Sequence, residues 1–308
     1  MKTVLITGAG GFLGNRLVNA LLRRDYSVHA IIRKIHPTIE HSNLSLYSVD
    51  LLDHRATSDL ISIIRPECLI HLAWESQHGS YWHSSENLSW LAASLNIAKE
   101  FSNAGGQRAI FAGSSAEYLW GGLGYLHETI STIAPHSLYG TSKNALRQVL
   151  ELWAPQANVS WAWARFFNVF GPGENAARLL PRIASQLLAG KDIPFDSGTI
   201  NRDFLYINDA CDALVSLFES TVQGPVNIAS GRPQTVRSVL TSMEEFFGTP
   251  GQLQFGQIPD VMEHPPFVVA DTTRLNQEVG WSTLDTFQSR LQTACEWWRT
   301  VAISHSTT

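Results

Sequence analysis

The sequence is short of charge, of reactive sulfur and of long apolar runs. Asp, Glu, Lys and Arg make up 16% of its 308 residues, and the net charge is −5. Without a basic excess there is no electrostatic footprint for nucleic acid. Cysteine occurs three times, at Cys68, Cys211 and Cys295. No two of them form a CxxC pair, and an odd number cannot close into a disulfide set. Three reduced, buried thiols are expected instead. No stretch approaches the ~20 apolar residues of a membrane span. The apolar run Thr3-Val4-Leu5-Ile6 meets glycine too soon to be a signal segment. These absences predict a cytoplasmic protein with neither a membrane nor a nucleic-acid partner. The histidines show no HxxxH spacing, so no metal centre is expected.

What is present is alternation. Short apolar runs at 3–7, 27–32, 44–49, 68–72, 108–112 and 159–164 read as strands buried on both faces. Helical stretches at 12–24, 56–64, 86–101 and 138–152 separate them, the last ended by Pro155. Strands alternating with helices predict an α/β fold, a Rossmann-type doubly wound parallel sheet. After Gly171-Pro172-Gly173 the elements shorten. The expected organisation is a dinucleotide-binding domain over residues 1–167, with 203–230 returning to it. Residues 168–202 and 231–308 then form a smaller C-terminal substrate-binding lobe.

Gly8, Gly11 and Gly14 sit between the first strand and the first helix. The first allows a tight turn, the second a close approach to pyrophosphate, and the third close packing of helix on strand. The phosphates would meet free N–H groups at the positive helix end. The second strand ends Ile32-Arg33-Lys34, without the acid that accepts from a ribose 2′-OH. Two adjacent cations there favour a 2′-phosphate and hence NADP(H), with NAD(H) as the alternative. A merely solvated basic strand end stays open.

Tyr139 and Lys143 form YxxxK on a helix, where i,i+4 spacing puts both on one face. A cation beside a phenol favours the phenolate and would ease proton exchange near neutral pH. Ser114-Ser115-Ala116-Glu117-Tyr118 ends the fifth strand, at the sheet edge where ligands bind. There Ser115 could hold a carbonyl oxygen against Tyr139. An ordinary helix face beside a serine-rich turn is the alternative.

The ordered motifs TGAGGFLG (7–14), GSSAEY (113–118), PHSLYGTSK (135–143), RFFNVFGPGE (165–174), RDFLYINDA (202–210) and NIASG (227–231) resemble one family. It is the extended short-chain dehydrogenases/reductases, also called the NAD-dependent epimerase/dehydratase family of nucleotide-sugar enzymes. The resemblance covers nearly the whole chain. It implies Ser115, Tyr139 and Lys143 as the catalytic triad, with Glu117 near the position of a dehydratase glutamate. It implies that Gly8, Gly11, Phe12, Leu13, Gly14, Arg33, Lys34, Asp50, Leu51, Leu72, Ala73 and Trp74 bind the cofactor, together with Tyr139 and Lys143. For the substrate it implies Trp74, Ser115, Asn168, Arg178 and Arg202. Arg202 could equally pair with Asp203, and Asn168 could cap a turn. The aromatic loop 74–83 could stack on a sugar or pack against the lobe. Pro259-Asp260-Val261-Met262-Glu263-His264 lacks the arginine many relatives carry near there.

The favoured expectation is NADPH-dependent reduction of the 4-keto group of a nucleotide-diphosphate-linked 4-keto-6-deoxy sugar. The alternative is an epimerase or dehydratase with tightly bound NAD(P). A non-enzymatic NAD(P)-binding protein stands third. The partners expected are a nucleotide sugar and, through helices 86–101 and 138–152, a second copy in a homodimer.

Overall fold

In the computed structural model the residues described are 2–33, 41–75, 79–122, 124–261 and 265–306. Lys34, to which cofactor binding was assigned, lies outside them, as do Met262, Glu263 and His264.

Seven parallel strands form the main sheet. They are β1 (Thr3–Thr7), β2 (Ser27–Ile32), β3 (Leu44–Ser48), β4 (Cys68–His71), β5 (Arg108–Ser114), β6 (Ser160–Phe166) and, later in the chain, β10 (Gly224–Ile228). Their order is β3-β2-β1-β4-β5-β6-β10. Both faces are covered, which explains the unbroken apolar runs: Val4, Leu5, Ile6, Leu69, Ile70 and Ile110 have no exposed surface. On one face lie α1 (Gly14–Leu22) and α6 (Ile207–Glu219), sharing a core that includes Leu17, Leu21, Leu214 and Val226. On the other, α3 (Glu86–Asn103) and α4 (Leu138–Gln156) contribute Ile97, Phe101, Leu146 and Leu150 to a second core. The chain reverses direction across the sheet between β1 and β4. The carboxyl ends of these strands therefore flank an open crevice.

The helix α4 runs through Pro155 rather than stopping before it. A ring in the last turn forfeits one bond near a helix end that is closing anyway. Ala157 N–H caps onto Trp153 O at 3.0 Å, and Asn158 turns the chain with φ +53°.

A second sheet joins β7 (Asn168–Phe170), β9 (Asn201–Tyr206), β11 (Pro233–Thr235) and β13 (Phe267–Val268), and β8 (Ile193–Phe195) pairs with β12 (Leu253–Phe255). With α5 (Leu179–Leu188), α7 (Val236–Phe247) and α8 (Phe287–Ser306) it closes a third core around Ile183, Phe204, Leu240 and Ala294. Asn201–Tyr206 thus belongs to the small sheet, while the chain from Ile207 to Ile228 returns to the large one. The three cysteines are free and buried, and burial pushes their thiols up, Cys68 to about 11. No helix among the described residues is long and apolar enough to cross a membrane.

Candidate active site

A cavity of about 1280 Å³ opens along the carboxyl edge of the main sheet, under the second lobe. That exceeds the usual ~300–1,000 Å³ of a small-molecule site, and leaves room for two ligands side by side. One end is built by the glycine turn. Gly8 has φ +71°, and a Cβ there would stand 2.8 Å from Ala73 N. A Cβ on Gly14 would lie 2.2 Å from Gly8 O. The turn is thus pressed flat between β4 and α1, and Gly11, Phe12 and Leu13 present the helix N-terminus to the cavity. This backbone cradle suits a pyrophosphate, which needs N–H groups and no intervening side chain. Behind it, Thr7 Oγ1 meets His71 Nδ1 at 2.7 Å and His71 Nε2 meets Ser94 Oγ at 2.9 Å. Burial pushes His71 down to about 3, so the ring is a neutral spacer.

Leu72, Ala73 and Trp74 line the cavity beside the cradle, and Asp50, Leu51 and Arg33 line its far end. Arg33 is exposed there, while Leu51 is buried. The Asp50 carboxylate accepts from its own turn, at Leu52 N, 3.0 Å.

The helix α4 starts at Ser137, whose hydroxyl accepts from Gly140 N at 3.1 Å. A Cβ on Gly140 would stand 2.3 Å from Ala116 O, so only glycine lets α4 close on the turn after β5. That contact brings Tyr139 to the end of β5. The hydroxyl bonded to Tyr139 is that of Ser114. Ser115 also lines the cavity, and its carbonyl accepts from Trp120 Nε1 at 2.9 Å. Ser114 also opens a capping box with Glu117 around the short helix 115–117.

Tyr139 is ringed by Tyr81 at 5.0 Å, Trp82 at 5.7 Å and Trp74 at 6.5 Å between ring centres. Their desolvation raises the phenol above its ordinary value, although the Ser114 bond pulls the other way. Lys143 is 3% exposed, donates to Ala112 O at 2.8 Å and stands 3.8 Å over the Trp74 ring. Burial pushes it down to about 7. The cation expected to acidify the phenol is itself desolvated, and burial prevails over attraction at both groups.

Glu117, expected among the reacting groups, is not among the residues that line the cavity. It has no exposed surface. Its carboxylate accepts from Ser114 N at 2.8 Å, Trp163 Nε1 at 2.9 Å and Arg165 Nε at 2.8 Å. Arg165 also donates to Tyr118 Oη at 3.1 Å, and Tyr118 donates to Asn227 Oδ1 at 2.8 Å. A neutralised polar network therefore lies beneath the floor and anchors the serine turn from below.

From the second lobe, Asn168 on β7, Arg178 at the start of α5 and Arg202 on β9 line the same cavity. Asn168 Nδ2 donates to Asp203 O at 3.1 Å, and Arg178 Nε lies 3.0 Å from Glu174 Oε1. Arg202 does not pair with Asp203. It donates to Asn201 O and Pro265 O, both at 2.8 Å, and burial lowers it to about 10. The Asp203 carboxylate instead gathers the N–H groups of Ser230, Gly231 and Ala270. Glu174, Tyr81 and Trp82 also line the cavity. Sequence reasoning had not singled out Glu174. Away from the cavity, His127, Glu128 and Asp271 offer ligand atoms within 4.8 Å of one another. Each already holds a local hydrogen bond: Glu128 from Asn227 N, Asp271 from Thr273 N, His127 from Thr129 N.

A family model described as the NAD dependent epimerase/dehydratase family matches residues 4–229. The chain belongs to this epimerase/dehydratase family. Among its relatives is UDP-glucuronic acid decarboxylase 1 of Xenopus tropicalis, 23% identical over 97% of this chain and 72% of its own. The UDP-glucose 4-epimerase of Thermotoga maritima, solved with UDP-glucose, superposes with a TM-score of 0.86 at 22% identity, over 97% of this chain and 99% of its own. MoeE5, solved with NAD and UDP-glucuronic acid, gives a TM-score of 0.84 at 26% identity, over 97% and 99% of the two chains. MoeE5 has also been solved with UDP-glucose and NAD. The seven-stranded Rossmann-like sheet with flanking helices is the architecture this chain shares with these solved structures.

Proposed function

We propose that this enzyme is an epimerase of a nucleoside-diphosphate hexose that keeps NAD bound through the reaction. One observation carries the reading. Ser114, Tyr139 and Lys143 converge on the cavity, while the acid once available for elimination, Glu117, is locked to Arg165. Oxidising and re-reducing a carbinol requires only a proton acceptor and donor at one oxygen. Dehydration requires further acid and base groups at a neighbouring carbon, for which Glu117 is unavailable.

The cradle of Gly8, Gly11 and Gly14 fits NAD pyrophosphate, with Asp50 and Leu51 toward adenosine and Leu72 to Trp74 toward nicotinamide. NAD held there would supply reversible hydride acceptance at a sugar carbon. Tyr139 accepts the hydroxyl proton and later gives it back, and Ser114 holds the oxygen against it. Lys143, seated between Ala112 O and the Trp74 ring, holds the phenol's surroundings cationic when protonated. Asn168, Arg178 and Arg202 would hold the nucleoside diphosphate, the arginines by paired N–H donation.

A net 4-ketoreductase using NADPH is the second reading. Arg33, exposed at the far end of the cavity, favours it. The exposed Leu88, Val149 and Leu152 on α3 and α4 support a homodimer through those helices. The test is to denature the purified protein and identify the released nucleotide, then to incubate intact protein with UDP-glucose or dTDP-glucose and no added cofactor. Released NAD and formation of an epimer support the proposal. A protein that releases no nucleotide and turns over only a keto sugar with NADPH refutes it.

A further inference from the structure

Glu174 is an acid in the cavity that the mechanism above leaves unused. It closes the turn between β7 and α5, and Arg16 clamps that turn to the glycine loop by donating to Pro172 O and Phe12 O. The Glu174 side chain is 5% exposed. Its Oε1 faces Arg178 Nε at 3.0 Å, whereas Oε2 is buried with no hydrogen-bond partner among the described residues. Glu174 and Arg178 line the same cavity as Tyr81 and Tyr139. Burial raises the Glu174 carboxyl to about 7, against the pull of Arg178.

A buried carboxylate oxygen without a donor is costly in the free protein and is satisfied by a ligand that brings one. We propose that Glu174 is a specificity residue: it accepts a hydroxyl or amide N–H from a neutral sugar and excludes a sugar that carries a carboxylate. The inference rests on the nucleotide-sugar reading above. A neutral hexose supplies hydroxyl donors without bringing charge. A uronate would set a second carboxylate beside a desolvated first one, and two such groups cannot both remain ionised at close range. Arg178 does not rescue it, since its Nε faces Glu174 and its remaining N–H groups are those assigned above to the diphosphate.

The test is calorimetric titration of the holoenzyme with UDP-glucose and with UDP-glucuronic acid, on wild type, Glu174→Gln and Glu174→Asp. The same pair on thymidine diphosphate is used if the wild type prefers that base. The wild type should favour the hexose by about tenfold or more, a 1.4 kcal/mol difference. Glu174→Gln keeps the shape and removes the charge, so the preference should fall to about threefold or less, chiefly through tighter uronate binding. Glu174→Asp keeps the charge and withdraws the oxygen, so hexose binding should weaken while the uronate stays excluded. Equal wild-type affinity for the two sugars, or a preference unchanged in Glu174→Gln, overturns the proposal. A wild type that holds NAD but binds neither sugar nucleotide refutes the nucleotide-sugar reading itself, and this inference with it.

Discussion

Replacing Glu117 by Gln separates a structural from a catalytic role for the buried acid. In the wild type its carboxylate satisfies the Arg165 guanidinium, the Trp163 indole N–H and the Ser114 amide at once. Gln keeps the shape and one acceptor oxygen but turns an amide N–H₂ toward a donor, and leaves Arg165 charged with no counterion in a site with no exposed surface. Breaking one partner of a buried pair costs about 3–5 kcal/mol. Orphaned donors cost about 1–3 kcal/mol each, although the two losses overlap and do not simply add. Against a domain stability of roughly 5–15 kcal/mol, such a loss is large. At roughly 2.1 cal/mol/K per residue, it lowers the melting temperature by about 5–8 °C in a chain of this size. Urea unfolding monitored by tryptophan fluorescence and by circular dichroism measures it directly. Glu117→Leu combined with Arg165→Met should recover much of the loss, because removing both charges removes the unpaired one. A Glu117→Gln protein with wild-type stability and no turnover would refute this reasoning and restore Glu117 as a catalytic acid.

Three further outcomes follow from the same geometry. Gly14→Ala places a Cβ 2.2 Å from Gly8 O, so the loop must shift and calorimetry should find NAD binding lost while the far-ultraviolet spectrum is kept. Tyr139→Phe removes only the phenolic oxygen and should lower kcat by about 10²–10⁴-fold with the fold intact, the range for a single general acid–base group. Lys143 falls from 10.5 unfolded to about 7 folded. The unfolded chain therefore binds more protons between these values, and stability should rise with pH across pH 7–10, by at most about 4–5 kcal/mol at 1.4 kcal/mol per unit. Lys143→Met should flatten that rise and be more stable than wild type at pH 7; urea midpoints at pH 7 and pH 9 that move in parallel for both proteins would contradict it.

The main sheet was legible because its strands are buried on both faces and its glycines are forced by contact. Gly8 and Gly14 can be read from sequence for the reason a Cβ is impossible there in space. The small sheet was not legible. Its strands β7, β11 and β13 have two or three residues each, too few for a period of two to register. Asn201–Tyr206 is longer, but its burial changes from half-buried to buried along the strand instead of alternating. Among site residues, Tyr139 and Lys143 follow from helical spacing alone. The choice between Ser114 and Ser115 does not, since it depends on a three-residue turn. Nor does the fate of Asp203: Arg202 is adjacent in sequence, but the strand points the two side chains to opposite faces. Asp203 then serves the backbone of 230–231 and 270 instead.

Burial is the common cause behind the features of this site that sequence could not supply. It raises Tyr139 and lowers Lys143, each toward its neutral form. Carboxylates at the site are paired with guanidinium groups, Glu117 with Arg165 and Glu174 with Arg178. In the free protein the tyrosine therefore holds its proton. A phenol in that state is ready to donate, yet a poor acceptor until something stabilises the phenolate. Lys143 can do so only if it is protonated when the sugar hydroxyl is held against Ser114 and Tyr139. Binding a diphosphate-bearing substrate adds negative charge to the cavity and favours the protonated lysine. Substrate binding and activation of the tyrosine are thereby coupled through Lys143, and the bulk of the nucleotide carrier, remote from the reacting carbon, contributes to the chemistry at that carbon.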